Sequence, residues 1–323
     1  IYYQLDSPKI SLFSRNSNLY SLGNQIKKTG EDSINKNLNE PEASLLSGVL
    51  LGNKNNFSEE FETNLRNSGT SHITSVSGFN VTIIYLMVLS FVGLLNRRHL
   101  FFISIGAILL FLFIIGPSNL PAMRATLMIL FIIVAQIHGR RTSIWIALFI
   151  SILLIILEYP LYLSNISLQL SIAATIGLFI FPDGFKKLCK KIKLPEQITE
   201  ILSSSLGVMI ATLPITIIFF GQISLVSIFS NLLILPLIPL AMFLGLTGIA
   251  FSIINISFLT QFIFFINNIL LSFIVRVINF FVFLNWATTK DVNIMIFIII
   301  TLLVIFIVSD FLIFKKKGKK NEA

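Results

Sequence analysis

Polar and apolar positions are sharply segregated along this chain. Through residue 71, charged and amide side chains recur every few positions, and no run of about 20 apolar residues interrupts them. From Phe79 onward, apolar runs follow one another with short polar breaks. These runs predict membrane-crossing helices near 79–95, 100–115, 121–137, 143–157, 166–182, 200–220, 238–256, 260–284 and 291–314. Some are shorter than the ~20 residues of a straight crossing. The stretch 223–239 differs, because Pro236 and Pro239 break it and Asn231 sits at its centre. That pattern suits a broken or re-entrant segment. The expected architecture is all-α, a polytopic transmembrane helical bundle with about nine spans and one re-entrant or broken segment.

Three regions follow: a polar extracytoplasmic segment at 1–71, a transmembrane region at 72–314 and a basic tail at 315–323. Within the first, "FSEEFETNLRNSG" (57–69) predicts a short helix. Ser58 can cap it, Glu59 and Glu60 suit the positive end of its dipole, and Phe61 and Leu65 share one face. Gly69 then ends it.

Composition agrees with the pattern. Hydrophobic side chains make up 55% of the 323 residues and charged ones 12%, about half the share usual in soluble domains. Mean hydropathy is +0.87. The net charge of +9 permits a nucleic-acid partner, but its placement first reports orientation. Arg97, Arg98, Arg140, Arg141, the loop "DGFKKLCKKIKLP" (183–195) and the tail "KKKGKK" (315–320) fall on one side if the spans alternate. The opposite loops 116–120, 158–165 and 221–224 carry no Lys or Arg. The basic side is expected in the cytoplasm, provided 223–239 does not cross fully. Cys189 is the single cysteine, and His72, His99 and His138 are widely spread, so no metal site, cofactor or internal disulfide is expected. The sequence opens at Ile1 without methionine, which reads as a trimmed N-terminus.

Several residues resist a purely lipid explanation. Arg124 in "PAMRATLM" (121–128) lies one turn into its span, where a charge needs a partner, water or a route to the interface. It can snorkel outward or line a cavity. Arg276 lies deeper in the eighth span, open to a backbone carbonyl, another helix or a transport path. In "SNISLQLSIAATIGLF" (164–179), Ser167 with Ser171 and Ala173 with Gly177 set small residues at four-residue spacing for close helix approach, and Gln169 seeks hydrogen bonds. Asn231 beside Pro236 suits a broken helix on a water-filled path. "HITSVSGFNV" (72–81) reads either as an interfacial cap or as a non-helical outer mouth. In the second reading Gly78 frees the backbone and His72, Thr74, Ser77 and Asn80 wet a vestibule.

These stretches together resemble the ComEC family of competence proteins, inner-membrane channels for incoming DNA. "HITSVSGFNV" is similar to the family's H-L-L-A-I-S-G-L-H-V through His72, Ser77, Gly78 and Val81. "PAMRATLM" resembles A-x-R-A-x-x-M through Ala122, Arg124, Ala125 and Met128. Residues 167–178 resemble S-F-Q-L-S-F-x-A-x-x-G-L through Ser167, Gln169, Leu170, Ser171, Ala174 and Gly177. Ser224, Asn231 and Pro236 match S-x-x-x-x-x-N-x-x-x-x-P, and 45–72 resembles the leucine-rich run and amphipathic helix that precede the first motif. Asn80 stands where the family has a second histidine, so no protonation-dependent role is expected there. The resemblance implies that 1–40 is the remnant of an OB-like domain. No histidine-rich nuclease motif of the kind many members carry is present.

What this implies is a multi-pass inner-membrane channel, not an enzyme, that passes single-stranded DNA into the cytoplasm during natural transformation. Arg124, Gln169, Ser171, Asn231 and Arg276 are expected along the DNA path, with His72, Thr74, Ser77, Gly78 and Asn80 at the outer mouth. Lys186, Lys187, Lys190, Lys191 and Lys193 are expected to receive the emerging strand. Expected partners are single-stranded DNA, membrane lipid, a DNA-delivery protein outside, an ATP-driven DNA motor inside and a second copy in a homodimer. The motor is external because no G-x-x-x-x-G-K-[ST] phosphate loop occurs. The alternatives are a small-solute or lipid transporter, a non-transporting scaffold, and an intramembrane hydrolase using Ser77, which lacks a G-x-S-x-G frame.

Overall fold

A computed structural model describes residues 18–53, 57–74, 76–92, 97–116, 119–140, 143–158, 160–191, 195–221, 223–224, 226–283 and 288–289. Ahead of the long apolar runs come α1 (Asn18–Asn37), α2 (Glu42–Leu51) and α3 (Glu59–Asn67). The apolar runs then fold as α4 (Gly78–Val92), α5 (Arg97–Ile115), α6 (Leu120–Ile137), α7 (Ile144–Glu158) and α8 (Ile166–Ile180). After them come α9 (Pro182–Lys191), α10 (Glu196–Phe220), α11 (Ser227–Ile234), α12 (Ile238–Ile253) and α13 (Ser257–Val282). A 3₁₀ turn, Pro160–Ser164, precedes α8. Two two-residue strands, β1 (Ile223–Ser224) and β2 (Thr288–Thr289), pair antiparallel and are the sole strands among the described residues.

Every expected span up to residue 284 thus carries a helix, and the segment 291–314 lies outside the described residues. Length separates these helices. α6, α10 and α13 are long and apolar enough to cross a membrane, and α11 with α12 form a fourth candidate bent by 47°. α4, α7 and α8, at 15 residues each, reach about 22 Å against a hydrocarbon core of about 30 Å. By length and composition, three crossings, or four with the bent pair, are supported among the described residues, which fits a helical membrane protein. Leu157, Ile218 and Phe258 are each more than 70% exposed, an outward apolar surface that water penalises and lipid does not.

The cationic stretch expected as a loop at 183–195 is helical over most of its length, as α9. Pro182 starts that helix and Asp183 sits in its positively polarised first turn. The break expected near Pro236 is real: α11 ends at Ile234, and α12 restarts with Pro239 in its first turn, where a missing N–H costs nothing.

The main core forms where α2 and α3 meet α4–α6 and α11–α13. From Ala43 to Leu51 every residue of α2 is buried, against α12 and α13. Gly245 of α12 permits this approach, since a Cβ there would stand 2.7 Å from Leu50 and 2.9 Å from Leu46. Packing therefore runs across residue 71, where composition changes. The predicted helix at 57–69 forms as α3: Ser58 Oγ accepts from Phe61 N at 3.2 Å, and Phe61 and Leu65 are buried. Gly69 ends it at φ 73°, and its missing side chain lets the turn sit against Ser227 of α11. Ser224 Oγ donates to Asn67 O and Ser230 Oγ to Ser68 O, each at 2.7 Å, so this turn is pinned to the broken segment.

A second unit is the α8–α10 pair. Gly177 and Gly207 face each other so closely that a Cβ on Gly177 would lie 2.5 Å from the Gly207 carbonyl oxygen. That is the close approach predicted from the small residues of 164–179.

Candidate functional site

Where α6 begins, Asn119 caps the helix by accepting from Ala122 N at 3.1 Å, and Pro121 fills the first turn. One turn on, Arg124 points inward, only 5% exposed. The snorkelling alternative is therefore excluded. Small neighbours make the burial possible: a Cβ on Gly78, the first residue of α4, would lie 3.1 Å from Ala125 Cβ and 3.3 Å from Arg124 Nη2. From the opposite side α8 brings Ser171, whose hydroxyl accepts from Arg124 Nε at 3.1 Å. Arg124 Nη1 donates to Met128 Sδ at 2.8 Å.

This is a poor solvent shell for a cation. One hydroxyl and one thioether share the guanidinium, a group with five N–H donors. No carboxylate pairs with it: the ion pairs among the described residues are the exposed Arg66–Glu62 and Lys186–Glu200. A buried charge without a counter-ion costs several kcal/mol even after relaxation, so its presence calls for an anion in some state of the protein. Two buried hydroxyls nearby in sequence or on the adjoining pair, Thr126 Oγ1 on α6 and Ser203 Oγ on α10, also lack hydrogen-bond partners.

The remaining expected site residues fall into separate places. Gln169 is drawn back to the start of its own helix, with Nε2 donating to Leu163 O at 2.9 Å. Asn231 lies on α11, which packs on α10 and α13, and its Oδ1 is buried without a partner. Arg276 is exposed on α13 and is not brought to Arg124. Lys186 pairs with Glu200 at 3.3 Å, while the side chains of Lys187, Lys190 and Lys191, and the whole of Lys193, lie outside the described residues.

The outer-mouth residues are more structural than a wet vestibule requires. Asn80 is 2% exposed, and its Nδ2 donates to Val49 O at 2.8 Å, satisfying a carbonyl at the C-terminal end of α2. Thr74 is also buried, its hydroxyl donating to Ser71 O at 3.0 Å. Ser77 Oγ donates to Asn80 Oδ1 at 3.4 Å. Gly78 is helical and has no positive φ, so close approach to α6 explains its glycine better than backbone freedom. Ser75 lies outside the described residues. His72 alone of the five is exposed. Protein crowded about its ring lowers its pKa below 6.5 by desolvation, opposed by a hydrogen bond with the Gly69 backbone.

Sequence reasoning missed Met128 as a partner of the cation and Asn80 as the clamp on α2. The i, i+4 spacing of Arg124 and Met128 on a helix was the available signal for the first. The second contact spans 31 residues and leaves no local signature.

Comparison with known proteins adds an independent line. The competence protein family model matches residues 49–315, more than half of the chain. An uncharacterized protein, YcaI, of Escherichia coli (strain K12) is 26% identical over 212 residues, covering 61% of this chain. The chain spans only 28% of that relative's length. No solved structure matches.

Proposed function

The chain belongs to the competence protein family, and from that premise we propose that it carries single-stranded DNA across the bacterial inner membrane during natural transformation. The observation that carries this reading is Arg124, a buried cation with no acidic partner among the described residues. A polyanion crossing hydrocarbon needs isolated cations, sparse enough that each phosphate leaves as readily as it arrives. The contacts of Arg124 support this reading: its Nε donates to Ser171 Oγ of α8, and the start of α4 lies against its guanidinium.

In the conformation described, this junction is closed. Passage requires α4 to part from α6 and α8, which exposes the guanidinium to the strand. The rigid glycine crossing of α8 with α10 lets Ser171 move with its own unit during such a step. The bend between α11 and α12 supports a transport role, since backbone groups freed at a break need protein or water around them. The proposed orientation places α3 and His72 outside and α9 in the cytoplasm. An extracytoplasmic delivery protein and a cytoplasmic ATP-driven motor then supply the strand and the work.

The test is passage of fluorescent single-stranded DNA into liposomes holding the full chain, under an inward pull on the strand. Wild type is expected to admit DNA and Arg124→Ala to block it. Equal passage by both removes Arg124 from the path. Transport by wild type of a compact solute, with no DNA passage, overturns the reading in favour of a solute transporter.

A further inference from the structure

A second arginine has a different setting. Arg276 stands on the 26-residue helix α13, six residues before its last, Val282, about 9 Å along the axis. It is exposed and makes no hydrogen bond or ion pair among the described residues. Along the same face a shallow groove of ≈ 410 Å³ runs between α12 and α13, walled by Leu240 and Leu244 on one side and Ile266, Ile269 and Phe273 on the other. Its lining is apolar throughout. A second hollow shares Ile269 and Phe273 with it and ends at Ser272 and Arg276, so cation and groove form one continuous feature.

We propose that this feature binds an anionic phospholipid, with the phosphate at Arg276 and an acyl chain lying in the α12–α13 groove. The two parts of the site match the two parts of such a molecule. From Arg276 to Ile266 is ten residues, about 15 Å of helix, enough to hold most of an acyl chain along the helix axis. The guanidinium reaches toward the phosphate level from about 9 Å inside the helix end, as arginine stems do at membrane interfaces. The charge needs the ligand: an unpaired cation on the lipid-facing side of an apolar helix is costly until an anion meets it. Glu42 on α2 accepts at 2.7 Å from the hydroxyl of Ser272, one turn before Arg276 on α13, and forms no ion pair with Arg276. Free phosphate fits the cation but leaves the groove unused, and a neutral hydrocarbon leaves the charge unmet. The proposal rests on the membrane setting and not on DNA passage.

The probe is a mixture of phosphatidylglycerol and phosphatidylcholine in equal amounts, with the full chain reconstituted in nanodiscs and retained lipid counted by native mass spectrometry. Wild type is expected to retain phosphatidylglycerol preferentially. Arg276→Gln is expected to lower that preference about five-fold, the effect of one basic residue at an anionic surface. Arg276→Lys keeps most of it, and Leu240→Trp, which fills the groove, lowers retention of both lipids. Arg140→Gln, a change at an exposed arginine far along the sequence, leaves the preference intact. Equal retention of the two lipids by wild type overturns the proposal, as does unchanged preference in Arg276→Gln. A photoreactive residue replacing Phe273 is expected to capture lipid. Capture of residues 291–314 or of a second copy instead assigns the groove to that occupant and also overturns it. If Arg276→Gln fails to fold, the lysine and tryptophan variants carry the decision.

Discussion

Arg124 and Arg276 both interrupt apolar helices, and their surroundings are opposite. Arg124 is enclosed by three helices and touches a hydroxyl and a sulfur. Arg276 faces outward beside an apolar groove, shares a hollow with Asn268 and Ser272, and makes no ion pair among the described residues. Each is a cation short of an anion, so the same electrostatic deficit is met from different directions. In the two proposed roles, the inner anion arrives along a path that opens, and the outer one diffuses in with the lipid. An intramembrane charge is thus a pointer to function only after its direction is known.

The largest expected effect comes from removing the inner charge while keeping its volume. Arg124→Met is expected to abolish DNA passage and transformation, yet to leave thermal stability unchanged or raised. Replacing a buried, poorly paired charge by a hydrophobe of similar size is often stabilising by about 1–4 kcal/mol. Loss of passage together with a large fall in unfolding temperature assigns Arg124 a structural task, and the contrast with Arg276 then disappears.

Nearly as large, but reversible, is the effect of fastening the junction. Gly78→Cys combined with Ala125→Cys, in a chain whose Cys189 is replaced by Ser, places two Cβ atoms 3.1 Å apart, so a small outward shift of the helices reaches the ~3.5–4.5 Å of a disulfide. Oxidation is expected to stop passage and reduction to restore it. Passage through the oxidised protein shows that α4 and α6 need not part. A smaller effect tests the rigid unit behind Ser171. Gly177→Leu forces apart α8 and α10, whose backbones already approach too closely for a Cβ. The cost is expected to be about 1–3 kcal/mol, read as a lowered unfolding midpoint in detergent.

Much of this was legible before any fold was known. Helix placement followed the apolar runs, and the cap at Ser58, the buried pair Phe61 and Leu65 and the stop at Gly69 all follow from local chemistry. Arg124 stands out as a charge that lipid does not explain and Ser171 as a small residue at helix-packing spacing, and the structure joins them. What escaped was non-local. The burial of α2 depends on Gly245 in α12, some 200 residues later, and a ten-residue apolar helix inside a polar segment does not announce where it docks. Gln169 and Arg276 matched the expected polarity of a path, but polarity has no direction. The structure turns Gln169 back to Leu163 O and leaves Arg276 facing outward.

The smallest expected effect sharpens the comparison most. Arg276→Gln is expected to change DNA passage by less than two-fold and stability by within about 0.5 kcal/mol, as for an exposed position outside any packed network. The same variant loses its anionic-lipid preference. If instead passage falls as steeply as in Arg124→Met, the outer face of α13 joins the route, and the strand runs along the α12–α13 side of the molecule. Passage assayed in vesicles without anionic lipid separates these outcomes. A route residue acts whatever the lipid, whereas a lipid anchor affects passage only when its ligand is present.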